Sequence, residues 1–151
     1  MLADALTGQG QAVVAAIREG QTKKGLSASG RTAATLRAEV VSSRDRLRLQ
    51  IYGSRVFRYL QNGRGPNRSG KPGREQIDGL TEWVKLRGLP LAAVWPIAIN
   101  QAKRGITVPN AHNPGGVLSD PISPANLHRR LLPALRTVAT EDIHAQLFPR
   151  S

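Results

Sequence analysis

Cysteine is missing from this 151-residue chain, and that one absence excludes disulfides, thiolate metal sites and cysteine nucleophiles together. It is compatible with assembly in a cytosol. Aromatic residues are scarce, two each of Trp, Tyr and Phe, which is thin for the serial base-stacking of single-strand nucleic-acid binders. No apolar run approaches the roughly 18 residues of a membrane span. The first residues, Met1-Leu2-Ala3-Asp4-Ala5-Leu6, carry an acid where a secretory leader carries cations. A soluble, unsecreted protein without a membrane partner is expected. Acids are few as well, ten against 22 Lys and Arg, for a net charge of +12.

That charge is unevenly placed. Residues 18–74 hold 14 Lys or Arg against Glu19, Glu39 and Asp45, so this stretch carries +11 of the +12. A pI near 11.5 drives a protein toward nucleic acid, anionic membrane or acidic protein surfaces, and says nothing about its fold. The length suits one ordinary domain, residues 1–151.

The patterning predicts an α+β fold: a small antiparallel hairpin packed with about four helices and joined by extended loops. Leu6, Val13, Val14 and Ile17 share one side of a first helix, weakened at its start by Gly8 and Gly10 and closing between Gly20 and Gly25. Leu36, Ala38 and Val40 then alternate, Ser42-Ser43-Arg44-Asp45 reads as a turn, and Leu47, Leu49 and Ile51 alternate with Arg46, Arg48 and Gln50. This is a hairpin with one apolar and one cationic face. Val56-Phe57-Arg58-Tyr59-Leu60 is a short apolar run of unsettled period, read as a strand-like lead into the loop that follows.

Beyond the loop, Ile77, Leu80, Trp83 and Val84 mark one helix that stops at Gly88, and Leu91, Val94, Trp95, Ala98 and Ala102 mark a second, from Pro90 to Arg104. Pro96 should kink or divide that second helix. Residues 107–121, with three prolines and Gly115-Gly116, read as an extended loop suited to function or subunit contact. Ser123-Pro124 opens a final helix with Leu127, Leu131, Leu135 and Val138 on its face, reaching Leu147.

The loop at residues 63–74 is the most informative segment. From Tyr59 to Arg74 there are four glycines, two prolines and the cations Arg64, Arg68, Lys71 and Arg74, with no carboxylate. Such a segment is expected to be mobile until it meets a negatively charged partner. Within it, Gly65-Pro66-Asn67-Arg68-Ser69-Gly70-Lys71-Pro72 matches the phosphate-loop spacing up to its last position, where Pro72 replaces the hydroxyl residue that would hold magnesium. Coincidence in a basic loop accounts for it better than nucleotide hydrolysis.

No catalytic, metal or cofactor site is expected elsewhere. His128 and His144 lie sixteen residues apart, about 160° around a continuous helix, so they cannot share a metal. Glu75, Asp78 and Glu82 fall on one helical face at i, i+3 and i+7 and read as a candidate acidic interface. Trp83 and Trp95 sit at helical spacing among aliphatic residues and are read as core anchors. Phe57 and Tyr59, beside Arg55 and Arg58, are the better candidates for a nucleic-acid platform.

The order of parts resembles the small tail-completion or head-tail joining proteins of long-tailed bacteriophages. The resemblance runs through Ser29-Gly30-Arg31-Thr32-Ala33-Ala34-Thr35-Leu36 before the hairpin, Tyr59-Leu60-Gln61-Asn62-Gly63-Arg64-Gly65-Pro66, Ile77-Asp78-Gly79-Leu80-Thr81-Glu82-Trp83-Val84-Lys85-Leu86-Arg87-Gly88, and Ile97-Ala98-Ile99-Asn100-Gln101-Ala102-Lys103-Arg104-Gly105. It covers roughly residues 10 to 140 and lies in layout as much as in letters. It implies a non-enzymatic virion subunit without cofactors, built into a homo-oligomeric ring in the neck between connector and tail and assembled in the bacterial cytoplasm. Neighbouring connector and tail proteins, and packaged DNA, are its implied partners; stopper, completion and terminator rings all remain open. Arg64, Arg68, Lys71 and Arg74, with Arg46 and Arg48 of the hairpin, are the expected contacts to DNA or acidic protein. The alternative is a free basic DNA- or RNA-binding module.

Overall fold

A computed structural model describes residues 2–44 and 46–148. The fold is α+β, with six α-helices and one two-stranded antiparallel sheet among the described residues. The chain divides into two compact units, each assembled from separate stretches: residues 1–20, 35–54 and 116–151 in the first, residues 21–34 and 55–115 in the second.

In the first unit, α1 (Leu2–Lys23) contributes its residues up to Gly20. The helical stripe buries Val13, Val14 and Ile17 together with Leu36 and Val117. Gly8 and Gly10 do not delay the helix, which begins at Leu2. Gly10 instead lets the hairpin approach: a Cβ there would stand 2.6 Å from Leu49 Cδ1 and 2.8 Å from Ala38 Cβ. The hairpin is β1 (Arg37–Ser43) and β2 (Arg46–Tyr52), in register from Arg37 opposite Tyr52 to Ser43 opposite Arg46. Ser42 and Ser43, expected in the turn, pair within the ladder, and Asp45 of that turn lies outside the described residues. Ala38, Val40, Leu47, Leu49 and Ile51 are half-buried on one face, while Val41, Arg46 and Arg48 are exposed on the other. The Arg18 guanidinium (Nη2) donates to Leu36 O at 2.9 Å.

The same unit ends in α6 (Pro124–Leu147), where Ser123 Oγ accepts from Asn126 N and Pro124 occupies the first turn, as the sequence predicts. Leu127, Leu131, Leu135 and Val138 are half-buried, and no residue of this 24-residue helix is fully buried.

The second unit starts with the last turn of α1 and α2 (Arg31–Ala34). Its next element corrects the strand-like reading, because Val56–Asn62 is a helix, α3, with Phe57 buried and Leu60 half-buried one turn on. The run's aromatic and branched content favours a strand, but the i, i+3 pairing against the unit's core decides. Helix α4 (Arg74–Leu86) packs against α5 (Val94–Arg104), which follows a 3-10 turn at Leu91–Ala93. Because α5 starts only at Val94, Pro96 lies in its first turn and neither kinks nor divides the helix. The buried residues here are Val84, Val94, Ala98 and Ala102. All are small, and the indoles expected as core anchors stay outside, Trp83 at 37% and Trp95 at 56% exposure.

Candidate functional site

The predicted cations fall into two groups, the loop at residues 63–74 in the second unit and the hairpin in the first. The loop is not a free segment. Arg64 N–H donates to Ile106 O at 2.7 Å and Ile106 N–H returns to Arg64 O at 2.6 Å, closing an isolated antiparallel bridge. Three residues on, Asn67 N–H donates to Ala102 O at 2.8 Å, and its side-chain amide donates to Lys71 O at 2.8 Å and to Gln76 Oε1 at 2.9 Å. Gln76 Nε2 in turn faces Ala98 O and Gln101 Oε1, both at 3.3 Å. The loop has little regular structure, as expected, but it is tethered: the backbone N–H groups of Arg64 and Asn67 find partners at Ile106 and Ala102, as groups near a packed surface must.

The phosphate-loop resemblance weakens further. Gly70 N–H is spent on Asn67 O at 2.9 Å and Lys71 N–H on Ser69 Oγ at 3.3 Å, so two amides of the would-be cradle turn inward. What the loop offers outward is side chains: Arg68, Lys71 and Arg74 are exposed and Arg64 is half-buried.

The acidic residues share one face of α4, and two of them already have cationic neighbours. Glu82 pairs with Arg31, and Asp78 lies 4.0 Å from Arg74 Nε. These pairs are exposed, each worth about 0–1 kcal/mol, so a partner's cations could displace them. Glu75 is exposed in the first turn of the same helix.

On the hairpin, Arg44, Arg46 and Arg48 join Val41 and Ser43 around a cleft of about 380 Å³ on the face opposite the apolar one. Further along that face the Arg37 guanidinium stacks 4.7 Å over the Tyr52 ring and donates to Glu39 Oε1 at 2.8 Å. Glu39 is thus engaged away from the tip, whose described lining carries only positive charge. Phe57 and Tyr59 do not form a stacking platform, since Phe57 is buried and Tyr59 is exposed on the same short helix.

Comparison with protein-family models, curated proteins and solved structures finds no match to this chain.

Two features lay beyond reading from the sequence. Asn113 is buried and bolts the loop at residues 107–115 in place: its Nδ2 donates to Leu60 O at 2.8 Å and its Oδ1 accepts from Gly115 N at 2.9 Å, while Lys24 Nζ donates to Gly115 O at 2.6 Å. Only its setting among Pro and Gly residues hinted at such a role. The other feature is apolar. Trp83, Leu86, Leu89, Leu91, Trp95 and Ile99 are all exposed on α4, α5 and the connection between them, although α4 buries Val84 and α5 buries Val94, Ala98 and Ala102.

Unburied surface is the common theme. The described residues bury ten apolar side chains and leave fifteen large ones exposed. The chain exposes 10785 Å², against about 7,500 Å² for a compact monomer of its mass and about 9,000 Å² for two separate compact bodies of half that mass. The surplus therefore does not depend on how the units are arranged. Histidine, aspartate and glutamate do not gather in threes at metal-binding distance among the described residues, and no described helix is long and apolar enough to cross a membrane.

Proposed function

We propose that this chain is a structural subunit of a tailed-phage virion that forms or joins a ring in the neck, between connector and tail. The observation that carries the assembly half of this reading is the surplus of exposed surface, more than even two separate compact units would show. Large exposed apolar patches on a small protein mark sites that another chain covers. The layout resemblance supplies the virion half, and the cations of the loop and hairpin suit a ring that meets DNA or acidic neighbours. In this role the chain acts by complementarity and turns over no substrate.

The test is native mass measurement of the purified protein, alone and with the connector and tail proteins of a candidate phage. A defined oligomer, or uptake into particles, is expected. A strict monomer that assembled particles exclude overturns the reading.

A second reading, a basic DNA- or RNA-binding module, is favoured by one observation, the three-arginine cleft of the hairpin. It predicts tight, salt-sensitive binding by the isolated protein without any oligomer.

A further inference from the structure

The outer face of the hairpin is built from rows of unequal length. Along β2 it presents Arg46 and Arg48, and directly opposite on β1 stand the shorter Ser43 and Val41. Long side chains beside short ones leave a trough, the cleft of about 380 Å³ that Arg44 completes at the turn. Residues i and i+2 of an antiparallel strand stand about 6.8 Å apart. Arg46 and Arg48 therefore leave the ribbon at a spacing of the same order as successive phosphates along one nucleic-acid strand.

Three observations choose the partner. The first is charge. Residues 40–49 hold Arg44, Arg46 and Arg48 against Asp45 alone, and among the described residues no carboxylate pairs with any of the three. In the loop, by contrast, Arg74 has Asp78 at 4.0 Å. The second is the lack of a free ring. Tyr52, the aromatic residue of the hairpin, lies at the far end of the face and already carries the Arg37 guanidinium 4.7 Å over its ring, so the tip cannot stack an unpaired base. The third is apolar content. At the tip Val41 is the exposed large apolar side chain, which falls short of the aromatic anchors of a protein–protein hot spot. Unpaired charge without stacking or an apolar anchor suits a regular polyanion, and a two-stranded ribbon fits the roughly 12 Å major groove of a DNA duplex.

We infer that the outer face of the hairpin is a docking site for duplex DNA, where Arg44, Arg46 and Arg48 contact backbone phosphates along a groove, and that the cations of the loop at residues 63–74 take no part in it. Backbone contacts fix position and carry no sequence information, so the binding is indifferent to sequence. The inference rests on the reading that this chain meets DNA, and it names the element and the chemistry that do so.

The experiment is fluorescence anisotropy of a labelled short DNA duplex of mixed sequence, titrated with the full-length protein over a series of salt concentrations. Three variants are compared with wild type: R44S with R46S and R48S in the hairpin, the same three arginines changed to Lys, and R64S with R68S, K71S and R74S in the loop. The loop variant removes four charges and the hairpin variant three, so an effect of net charge alone would be larger in the loop variant. Circular dichroism melting checks that each folds. R48S alone, expected to flatten the salt slope by about 1, carries the test if the triple variant does not fold.

Wild type is expected to bind unrelated duplex sequences alike. The hairpin Ser variant should lose at least about tenfold in affinity at low salt, with its slope of log affinity against log salt smaller by about 2–3. The Lys variant should keep the slope, because phosphate contacts count charges, and the loop variant should keep it within about 1. A loop variant that loses as much as the hairpin variant makes the binding a matter of net charge and overturns the inference. Tighter binding to a single strand of the same length overturns it, as does hairpin-dependent binding to phosphatidylserine vesicles without binding to the duplex. Wild type that ignores the duplex at low salt, yet forms a defined oligomer or enters particles, overturns the DNA site and leaves the assembly reading standing. Hairpin-dependent DNA binding by a strict monomer that particles exclude keeps the DNA site and removes the neck.

Discussion

Arg64 and Ile106 exchange a pair of backbone hydrogen bonds, 2.7 and 2.6 Å, each the first residue after a helix that ends on glycine. Gly63 closes α3 and Gly105 closes α5, both at φ 75°. The helix ends cross so closely that a Cβ on Gly63 would stand 2.1 Å from Ile106 O, and one on Gly105 2.3 Å from Arg64 O. This crossing tethers the start of a loop of glycines and cations to the second unit.

Gly63→Ala and Gly105→Ala should each cost at least about 2 kcal/mol, since both the left-handed backbone and the carbonyl contact forbid a side chain. Gly79→Ala, in α4 with nothing within 4 Å of its Cβ position, should gain about 0.5–1 kcal/mol. Urea denaturation separates the two. Equal effects at all three sites would contradict the crossing.

A similar contrast lies within α1. Gly8 faces open space and Gly10 faces Leu49 and Ala38, so Gly8→Ala should stabilise by about 0.5–1 kcal/mol and Gly10→Ala should destabilise by about 1–3 kcal/mol. Thermal melts of the two variants should move in opposite directions.

Hydrogen exchange tests the tethered loop. The amides of Arg64 and Asn67 donate to Ile106 and Ala102 and should exchange more slowly than that of exposed Arg68. Asn67→Ala removes the contacts to Lys71 and Gln76; it should cost about 1 kcal/mol and speed exchange across residues 64–71. Uniformly fast exchange in the wild type would restore the free-loop expectation.

The exposed indoles give a direct optical readout. Trp83 and Trp95 should emit as solvated tryptophans and be quenched more strongly by iodide than by caesium, because Arg87 lies 5.8 Å over the Trp83 ring and cations surround the corner. An oligomer or partner that covers the corner should shift the emission to the blue. W95F should remove most of that shift.

For the cations, salt is the discriminating variable. If DNA phosphate meets the hairpin, replacing Arg44, Arg46 and Arg48 by Ser should flatten the slope of log affinity against log salt by about 2–3. Replacing Arg64, Arg68, Lys71 and Arg74 by Ser should impair particle assembly and leave folding nearly intact, since the Arg74–Asp78 pair is exposed and weak. Normal assembly and unchanged DNA binding by the second variant would make the loop a solvated connector.

What could be read from residues alone was whatever depends on local period and punctuation. Leu47, Leu49 and Ile51 alternate and so form a strand; Val13, Val14 and Ile17 recur at helical spacing and are buried; Ser123-Pro124 starts a helix because its hydroxyl and missing N–H suit a helix N-terminus. Charge could be counted as well, which placed Arg46, Arg48 and the loop cations on the surface. Tertiary structure alone decided what depends on who arrives opposite. Val56–Asn62 became a helix because Phe57 found a core one side could reach, and Trp83 and Trp95 were left in solvent because α4 and α5 meet through Val84, Ala98 and Ala102. Asn67 and Asn113 gained their roles only when distant carbonyls, Ala102 O and Leu60 O, came within hydrogen-bond reach. A side chain's period states which face it occupies; whether that face is covered depends on partners far along the chain, or on another chain altogether.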